Sequence, residues 1–235
     1  MILLGDNSVT PVNNIAYFNL EKPGRKYDVR LCTKNGCTTL KSAYILANFD
    51  IKKPPKGAEE RIMMDYWWSS WHIRSGKLAS SIEPPFRNRS IRIAVKRDPV
   101  DRFLSACSFL FKQKFVYKNK RAIEKFPAIN DDLISIDTTV SDIIDLLKTR
   151  KIHDDAHFYS QSFFLGSIKD YDLIVDLKDL TKFLKKLEKE INPISSFKDI
   201  WYNNTSDINR YDNVTDNEVD QIKDLYKRDY KNGWY

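Results

Sequence analysis

The stretch YDVRLCTKNGCTTLKSAYILANF, Tyr27 to Phe49, predicts a strand, a short loop and a helix in direct succession. A loop with a glycine and two threonines at this place is typical of phosphate binding, because a helix N-terminus attracts anions. Gly36 lets the backbone approach a ligand closely, and Thr38 and Thr39 carry hydroxyl donors. Lys34 adds a positive charge, but it precedes the glycine, whereas nucleotide hydrolases place lysine after it.

A second segment, KRDPVDRFLSA, carries a similar combination at the start of the next strand–helix pair. Arg97 follows the strand pattern IRIAVK, and Ser105 lies further along the predicted helix. Since a helix rises only ~1.5 Å per residue, the guanidinium and the hydroxyl can hold one phosphate together. The competing interpretations are an ion pair of Arg97 with Asp98 or Asp101 and, for the first loop, an ordinary turn with threonine caps.

Strand and helix patterns alternate along the chain, which predicts an α/β fold with a central, mostly parallel sheet flanked by helices. The predicted strands are YDVRL, IRIAVK and DLIVDL, and the predicted helices begin near Thr38, Pro99, Thr138, Lys178 and Asp216. Apolar residues at three- and four-residue spacing give the helix from Pro99 one apolar face, and the last helix extends to about Tyr230. Ligands of such sheets bind at the carboxyl ends of the strands, where both segments would lie. With 235 residues, 42% of them hydrophobic, we expect a single domain spanning residues 1–235.

The net charge of +7 favours anionic partners. The run KQKFVYKNKR, Lys112 to Arg121, is either a basic nucleic-acid patch or a solvated helix end.

Apolar runs fall short of the ~20 residues of a membrane span, and the chain starts without a basic signal region, so we expect a cytoplasmic protein. Cys32, Cys37 and Cys107 are expected to be small buried thiols and not metal ligands.

Taken together, the two segments resemble the sulfotransferases that use 3′-phosphoadenosine 5′-phosphosulfate (PAPS), particularly the Golgi-type carbohydrate sulfotransferases. That family's P-K-x-G-C-T-x-x-K loop corresponds to Thr33–Lys41, with Thr33 where proline is usual. Its R-[DH]-P-x-[ED]-R-[LF]-x-S-A motif corresponds to Arg97–Ala106. HFYSQSFFL, from His157, is similar to the family's H-W-x-P-Q segment, with Phe158 and Ser160 replacing the Trp and Pro.

The resemblance implies a P-loop-nucleotide-kinase-like sulfotransferase fold, PAPS as donor, a hydroxyl acceptor such as a carbohydrate, and no metal. It assigns the 5′-phosphosulfate to Lys34, Asn35, Gly36, Cys37, Thr38 and Thr39, and the 3′-phosphate to Arg97 and Ser105. In this family the lysine bridges the 5′-phosphate and the sulfonate, which stabilises the charge that develops on the leaving phosphate. No nucleic-acid partner and no membrane span are implied.

A general base must remove the acceptor's proton, and histidine suits this role near neutral pH. His72, between the two motifs, ranks slightly above His157, at the family's H-W position; Glu83 and Asp65 are further candidates.

The aromatic cluster Tyr66–Trp71 is either core or a platform for a sugar. The alternative functions are a P-loop nucleotide kinase, for which G-K-[ST] is missing, and a basic nucleic-acid-binding protein.

Overall fold

The computed structural model describes residues 15–19, 26–48, 90–116, 133–149, 155, 157–191, 193, 196–197, 211 and 213–235. They fall into two compact units, which we describe separately. The sheet unit comprises the described residues between Thr10 and Lys96 and between Ser167 and Asn203. The helical unit comprises those between Arg97 and Gly166 and between Asn204 and Tyr235.

The strands of the sheet unit are β1 (Ile15–Asn19), β2 (Lys26–Arg30), β3 (Ser90–Lys96) and β4 (Leu173–Asp176). They lie in the order β1-β2-β3-β4; β1 is antiparallel to β2, whereas β2, β3 and β4 are parallel. Val29 pairs with Ile93, which in turn pairs with Leu173. The prediction of an α/β protein with a mostly parallel sheet is confirmed.

Helices α1 (Cys37–Asn48) and α5 (Leu180–Ile191) complete the sheet unit, with short 3₁₀ turns at Ile168–Asp170 and Leu177–Asp179. Alternate residues of a strand share one face, and on β2 and its continuation these are buried apolar side chains. The core combines Tyr27, Val29, Leu31, Ile93, Val95 and Val175 with Leu40, Ala43 and Leu46 of α1 and Leu180, Leu184, Leu187 and Ile191 of α5. Both helices therefore pack against this apolar face.

The helical unit contains α2 (Pro99–Phe111), α3 (Val140–Lys148), α4 (Gln161–Leu165), α6 (Asp216–Leu225) and α7 (Lys227–Lys231). Its core is formed chiefly by Phe103, Ala106, Cys107 and Leu110 of α2, Ile143, Ile144 and Leu147 of α3, and Phe158, Ile222 and Tyr226. The apolar face predicted for α2 is therefore confirmed. Capping boxes at Thr139 and Thr215 begin α3 and α6, each satisfying backbone N–H groups at the helix start.

Two features differ from the predicted elements. The last helix, predicted as continuous from Asp216 to Tyr230, is interrupted at Tyr226, whose hydroxyl donates a hydrogen bond to the Phe158 carbonyl at 2.8 Å. The basic run begins as a π-helix, Lys112–Val116, in which Lys112 and Gln113 are buried. None of the helices in the described ranges has the length and apolar character needed to cross a membrane.

Candidate functional site

In the sheet unit, the loop between β2 and α1 is attached to the carboxyl end of β3 by Asn35. The Asn35 side-chain amide donates to the Val95 carbonyl at 2.8 Å, and its backbone N–H donates to the Cys32 carbonyl at 3.2 Å. Only 1% of Asn35 is exposed. The structure thus gives Asn35 a structural role in shaping the loop, and its assignment to a bound nucleotide stays a prediction.

The backbone of this loop turns through the left-handed region at Lys34 and Gly36, with φ of 64° and 76°. Glycine is favoured at position 36 by its positive φ, and a Cβ there would lie 2.6 Å from Leu180 Cδ2 and 2.9 Å from Leu177 Cδ1, so these leucine side chains would have to shift. Lysine has no such advantage at position 34, since side chains with a Cβ disfavour this conformation. The fold holds the partly buried Lys34 in a conformation that costs energy.

The N-terminus of α1 contains the remaining residues that the sequence predicted for the 5′-phosphate. The Leu40 N–H donates to the Gly36 carbonyl at 3.0 Å, which makes this the first turn of a twelve-residue helix. The N–H groups of such a first turn have no acceptor within their own helix, and they attract anions. Cys37 and Thr38 are partly buried at this end, whereas Thr39 is buried.

Arg97 and Ser105 belong to the helical unit, at the start and in the middle of the α2 segment. Asp98 is the N-cap of α2: its side chain accepts from the N–H groups of Val100 at 2.8 Å and Asp101 at 3.1 Å. Burial lowers the pKa of Arg97; the Asp101 carboxylate opposes this shift. A guanidinium that has lost part of its hydration gains from any further anion brought close to it.

Arg102, the second arginine of the R-D-P motif, has a structural role. It is fully buried, and its guanidinium donates to the carbonyls of His157, at 3.4 Å, and of Tyr159. Its Cζ also lies 5.1 Å from the centroid of the Tyr226 ring. Arg102 therefore holds the segment that begins at His157 against α2.

Gln161 fixes the backbone of Arg97 from both sides. The Arg97 N–H donates to Gln161 Oε1 at 2.9 Å, and Gln161 Nε2 donates to the Arg97 carbonyl at 2.8 Å. Gln161 is itself held at the start of α4, where the carboxylate of the fully buried Asp229 accepts from the N–H groups of Gln161 at 2.9 Å and Ser162 at 2.7 Å. The C-terminal helix α7 thus positions Arg97 through Gln161.

His157 is oriented by a carboxylate and an aromatic ring. Its Nδ1 lies 2.6 Å from Asp155 Oδ1, which also accepts from the His157 backbone N–H at 2.9 Å. The imidazole stacks on Phe109 of α2, with ring centroids 4.3 Å apart and an interplanar angle of 28°. The side chain of Asp155 is fully buried, and that of His157 is 16% exposed.

Several predicted residues lie outside the described residues: His72, Glu83, Asp65 and the aromatic cluster Tyr66–Trp71. Conversely, no role was predicted for Asp155, Gln161 or Asp229. One of the three, Gln161, lies in the H-W-x-P-Q-like segment at the position of that motif's glutamine, and its side chain pairs with the Arg97 backbone. In the described ranges, no group of His, Cys, Asp and Glu is arranged to hold a metal ion.

Comparisons with protein-family models, with curated proteins and with solved structures found no match for this chain.

Proposed function

We propose that the protein is a sulfotransferase that moves a sulfonate from PAPS to a hydroxyl group, with a carbohydrate as acceptor. One observation carries the proposal: two phosphate-binding patterns follow directly on two neighbouring parallel strands, β2 and β3, and each leads into a helix. In parallel α/β sheets this is the place where nucleotides bind. The P-loop-nucleotide-kinase-like sulfotransferase fold belongs to the same proposal.

Lys34 is assigned the central electrostatic role. In the transfer, the acceptor oxygen forms a bond to sulfur while the bond from sulfur to the 5′-phosphate oxygen breaks, and its electron pair stays on that phosphate. A lysine and helix N–H groups that face this oxygen stabilise the developing charge more in the transition state than in the ground state. The strained backbone of Lys34 supports the assignment, because such strain is typical of functional sites.

Arg97 and Ser105 are assigned to the 3′-phosphate of the donor. The partly desolvated guanidinium of Arg97 suits an anionic ligand, and the hydrogen bonds from Gln161 fix the backbone that carries it. A preorganised arginine binds phosphate with less loss of conformational entropy.

The test is thermal stabilisation by 3′-phosphoadenosine 5′-phosphate, the product of the donor, compared with AMP and with ATP plus Mg²⁺. A ligand at about 100 times its Kd stabilises the folded protein by roughly 2.7 kcal/mol. We expect the bisphosphate to stabilise the protein most.

No shift at millimolar bisphosphate would contradict the proposal, and a larger shift with ATP and Mg²⁺ would favour the nucleotide kinase instead. Strongly salt-dependent binding of DNA or RNA, without a response to the bisphosphate, would favour a nucleic-acid-binding protein.

Two pairs of variants make the test specific. Arg97→Ala should weaken bisphosphate binding at least ~10-fold, the loss expected from one charged hydrogen bond. Arg92→Ala, which removes a partly exposed arginine of β3 that pairs with Asp172, should leave it unchanged. For turnover, Lys34→Ala should lower the rate of sulfonate transfer, whereas Lys178→Ala, at a side chain that is 79% exposed, should not.

A further inference from the structure

Helix α5 of the sheet unit carries apolar and basic side chains on opposite sides. The four positions at which it is buried in the core of this unit are Leu180, Leu184, Leu187 and Ile191. Its four lysines are all exposed: Lys182, Lys185, Lys186 and Lys189. At roughly 100° per residue, these lysines fall within an arc of about 100° whose centre lies opposite the buried positions, and they span about 10 Å of the helix axis. We call this arc the lysine face of α5.

The two glutamates of α5 lie at the edges of the lysine face and are hydrogen-bonded to other parts of the sheet unit. Glu188 Oε1 accepts from the Ser196 hydroxyl and from the Phe197 N–H, both at 2.7 Å. Glu190 accepts from the Tyr27 hydroxyl on β2. The negative charges of the helix are therefore turned toward the rest of the unit, whereas its positive charges are turned toward solvent.

Most of the ammonium groups on the lysine face are not paired with a neighbouring carboxylate. Lys186 Nζ lies 3.7 Å from Glu190 Oε1, which makes it one partner of an ion pair. Among the residues that the structure describes, no carboxylate lies within ion-pair distance of the other three, Lys182, Lys185 and Lys189. The turn before α5 adds no net charge, since it contains Lys178 and Asp179. An exposed face with this excess of positive charge attracts a polyanion.

The composition of the lysine face indicates the kind of polyanion. Along α5, which the structure describes in full, Thr181 is the only other exposed residue. The helix therefore offers neither an aromatic ring on which a nucleic-acid base could stack nor an exposed apolar side chain that could enter a bilayer. Lysine also lacks the planar fork with which arginine recognises a fixed phosphate geometry. The face is thus suited to a partner that is recognised by the density of its negative charge.

We propose that the lysine face of α5 docks on a membrane rich in anionic phospholipids, at the level of the headgroups. A leaflet is flat and its headgroups diffuse, so phosphates can collect beneath all four lysines at once. A nucleic-acid duplex holds its phosphates at fixed places on a curved surface and would have to match the spacing of the lysines. Four or more basic residues on an amphipathic helix are typical of binding to anionic lipids. This inference does not depend on sulfonate transfer.

The test is co-sedimentation of the full chain with vesicles of phosphatidylcholine alone or with about 30% phosphatidylserine. We expect binding to the anionic vesicles alone, because the apolar side of α5 is buried in the core and only charge remains for the membrane. Raising the salt from about 0.1 M to about 1 M should abolish binding, since the Debye length falls from ~10 Å to ~3 Å. Lys185→Gln should weaken binding by about fivefold, and replacement of all four lysines by glutamine should weaken it by more than ~100-fold.

Two further variants separate the lysine face from the net charge of the protein. The matched control replaces four exposed lysines of the helical unit by glutamine, namely Lys148, Lys223, Lys227 and Lys231. It has the same net charge as the fourfold α5 variant, but it should bind the anionic vesicles at least ~10-fold more tightly. A variant with arginine at the four α5 positions keeps the charge and should bind like the wild-type protein.

Three results would overturn the inference. An equal loss of binding in the two fourfold glutamine variants would show that net charge, and not the lysine face, holds the protein on the membrane. Binding to phosphatidylcholine alone, or no binding to anionic vesicles at low salt, would contradict a headgroup-docking surface. Tighter binding of duplex DNA than of anionic vesicles, lost in the α5 variant, would assign the face to nucleic acid instead. If the fourfold variant did not fold, Lys185→Gln, at a single exposed position, would decide between these results.

Discussion

Lys34 lies in a backbone conformation that only its surroundings explain. Its φ of 64° falls in the left-handed region, which costs a residue with a Cβ roughly 1–2 kcal/mol. The neighbouring Asn35 is held to β3 through the Val95 carbonyl, and Gly36 is packed against Leu177 and Leu180. These two neighbours fix the course of the chain, so position 34 has to accept the strain.

The strain and the charge of Lys34 can be measured separately with two substitutions. Lys34→Ala removes the charge and keeps the Cβ, whereas Lys34→Gly removes both. We expect the free energy of unfolding of Lys34→Gly to exceed that of Lys34→Ala by about 1 kcal/mol, because glycine adopts positive φ without a steric penalty. Urea unfolding of both variants measures this difference.

Turnover should respond differently from stability. Both variants lack the ammonium group, so both should transfer sulfonate more slowly than the wild-type protein, and the more stable glycine variant should not regain activity. Equal stability of the two variants would show that φ at position 34 costs nothing. Wild-type turnover in either variant would show that Lys34 takes no part in the reaction.

Gly36 illustrates how far a single residue could be interpreted from the sequence. The sequence predicts that Gly36 lets a ligand approach the backbone closely. The structure shows a second constraint, since a Cβ at this position would come too close to the Leu177 and Leu180 side chains, which would have to shift. These leucines lie about 140 residues further along the chain, and no local pattern indicates that they pack against the loop.

At the scale of elements, α4 shows that a helix of five residues can fix the backbone of a candidate site residue. Such a helix is too short to be stable by itself. Its N-terminus is held by Asp229 of α7, and its first residue, Gln161, forms two hydrogen bonds with the backbone of Arg97. The end of the chain is therefore connected to the predicted 3′-phosphate arginine through α4.

This connection is tested by Gln161→Met, which keeps the length of the side chain and removes both hydrogen bonds to Arg97. The free energy of unfolding should fall by about 1–3 kcal/mol, because the buried side of the Arg97 backbone loses its partners. Affinity for 3′-phosphoadenosine 5′-phosphate should fall by roughly tenfold, about 1.4 kcal/mol, as Arg97 loses its fixed position. Calorimetry and urea unfolding measure the two effects.

The control for this variant is Gln221→Met on α6, where the glutamine accepts a hydrogen bond from the Lys148 side chain at the surface. We expect its bisphosphate affinity to equal that of the wild-type protein. If Gln161→Met were destabilised but bound the bisphosphate normally, Gln161 would stabilise the fold without positioning the arginine.

The elements that the sequence predicted are those with a long periodic pattern. β2, β3 and β4 and the helices α1, α2, α3, α5 and α6 all begin within two residues of their predicted starts, although α6 ends earlier than predicted. β1 and α4 were not predicted. Each is only five residues long and depends on its neighbours: β1 on pairing with β2, and α4 on the carboxylate of Asp229. Tertiary contacts stabilise such elements more than local propensity does.

At the scale of the whole molecule, the chain builds its two cores from separated segments. It leaves the sheet unit after Lys96, at the end of β3, and returns to it after Gly166, before β4. The sequence predicted the α/β class because strands and helices alternate along the chain. It did not predict the apolar core formed by α2, α3 and α6, since periodicity shows which face is buried but not what covers it.

The residues of the candidate site also differ in whether the sequence could indicate them. Lys34, Gly36, Arg97 and Ser105 lie in local motifs, so they could be selected as candidates from the sequence, and their binding roles stay predictions. Gln161 and Asp229 could not, because Gln161 contacts a partner 64 residues away and Asp229 one 68 residues away. Asp155 lies only two residues from His157, but its role depends on a turn that no sequence pattern indicated.

Each unit also contains a tyrosine whose ionisation should weaken the fold at alkaline pH. Burial raises the pKa of Tyr171, in the sheet unit, to about 12, and a hydrogen bond and the positive charge of Arg30 oppose this shift. In the helical unit, burial and the carboxylates of Asp98 and Asp229 raise the pKa of Tyr230 to about 12. An unfolded tyrosine ionises near pH 10.

The sign of the pH dependence follows from these values. Between about pH 10 and about pH 12 the unfolded chain loses both protons while the folded protein keeps them, so the free energy of unfolding falls as the pH rises. Below about pH 10 the tyrosines are protonated in both states, and their contribution is constant. Urea unfolding across this range should therefore show a loss of stability, and the part of the phenolate absorbance that comes from these two tyrosines should appear only near pH 12 in the folded protein.

The matched variants are Tyr171→Phe and Tyr230→Phe, each of which removes one ionisable group with little change in shape. Each should make the fall in stability less steep, and the double variant should show the shallowest dependence, leaving the titration of the lysines, cysteines and other tyrosines that all the proteins share. If the double variant lost stability as steeply as the wild-type protein, the two buried phenols would not be the cause. A change confined to one single variant would assign the alkaline sensitivity to the unit that contains that tyrosine.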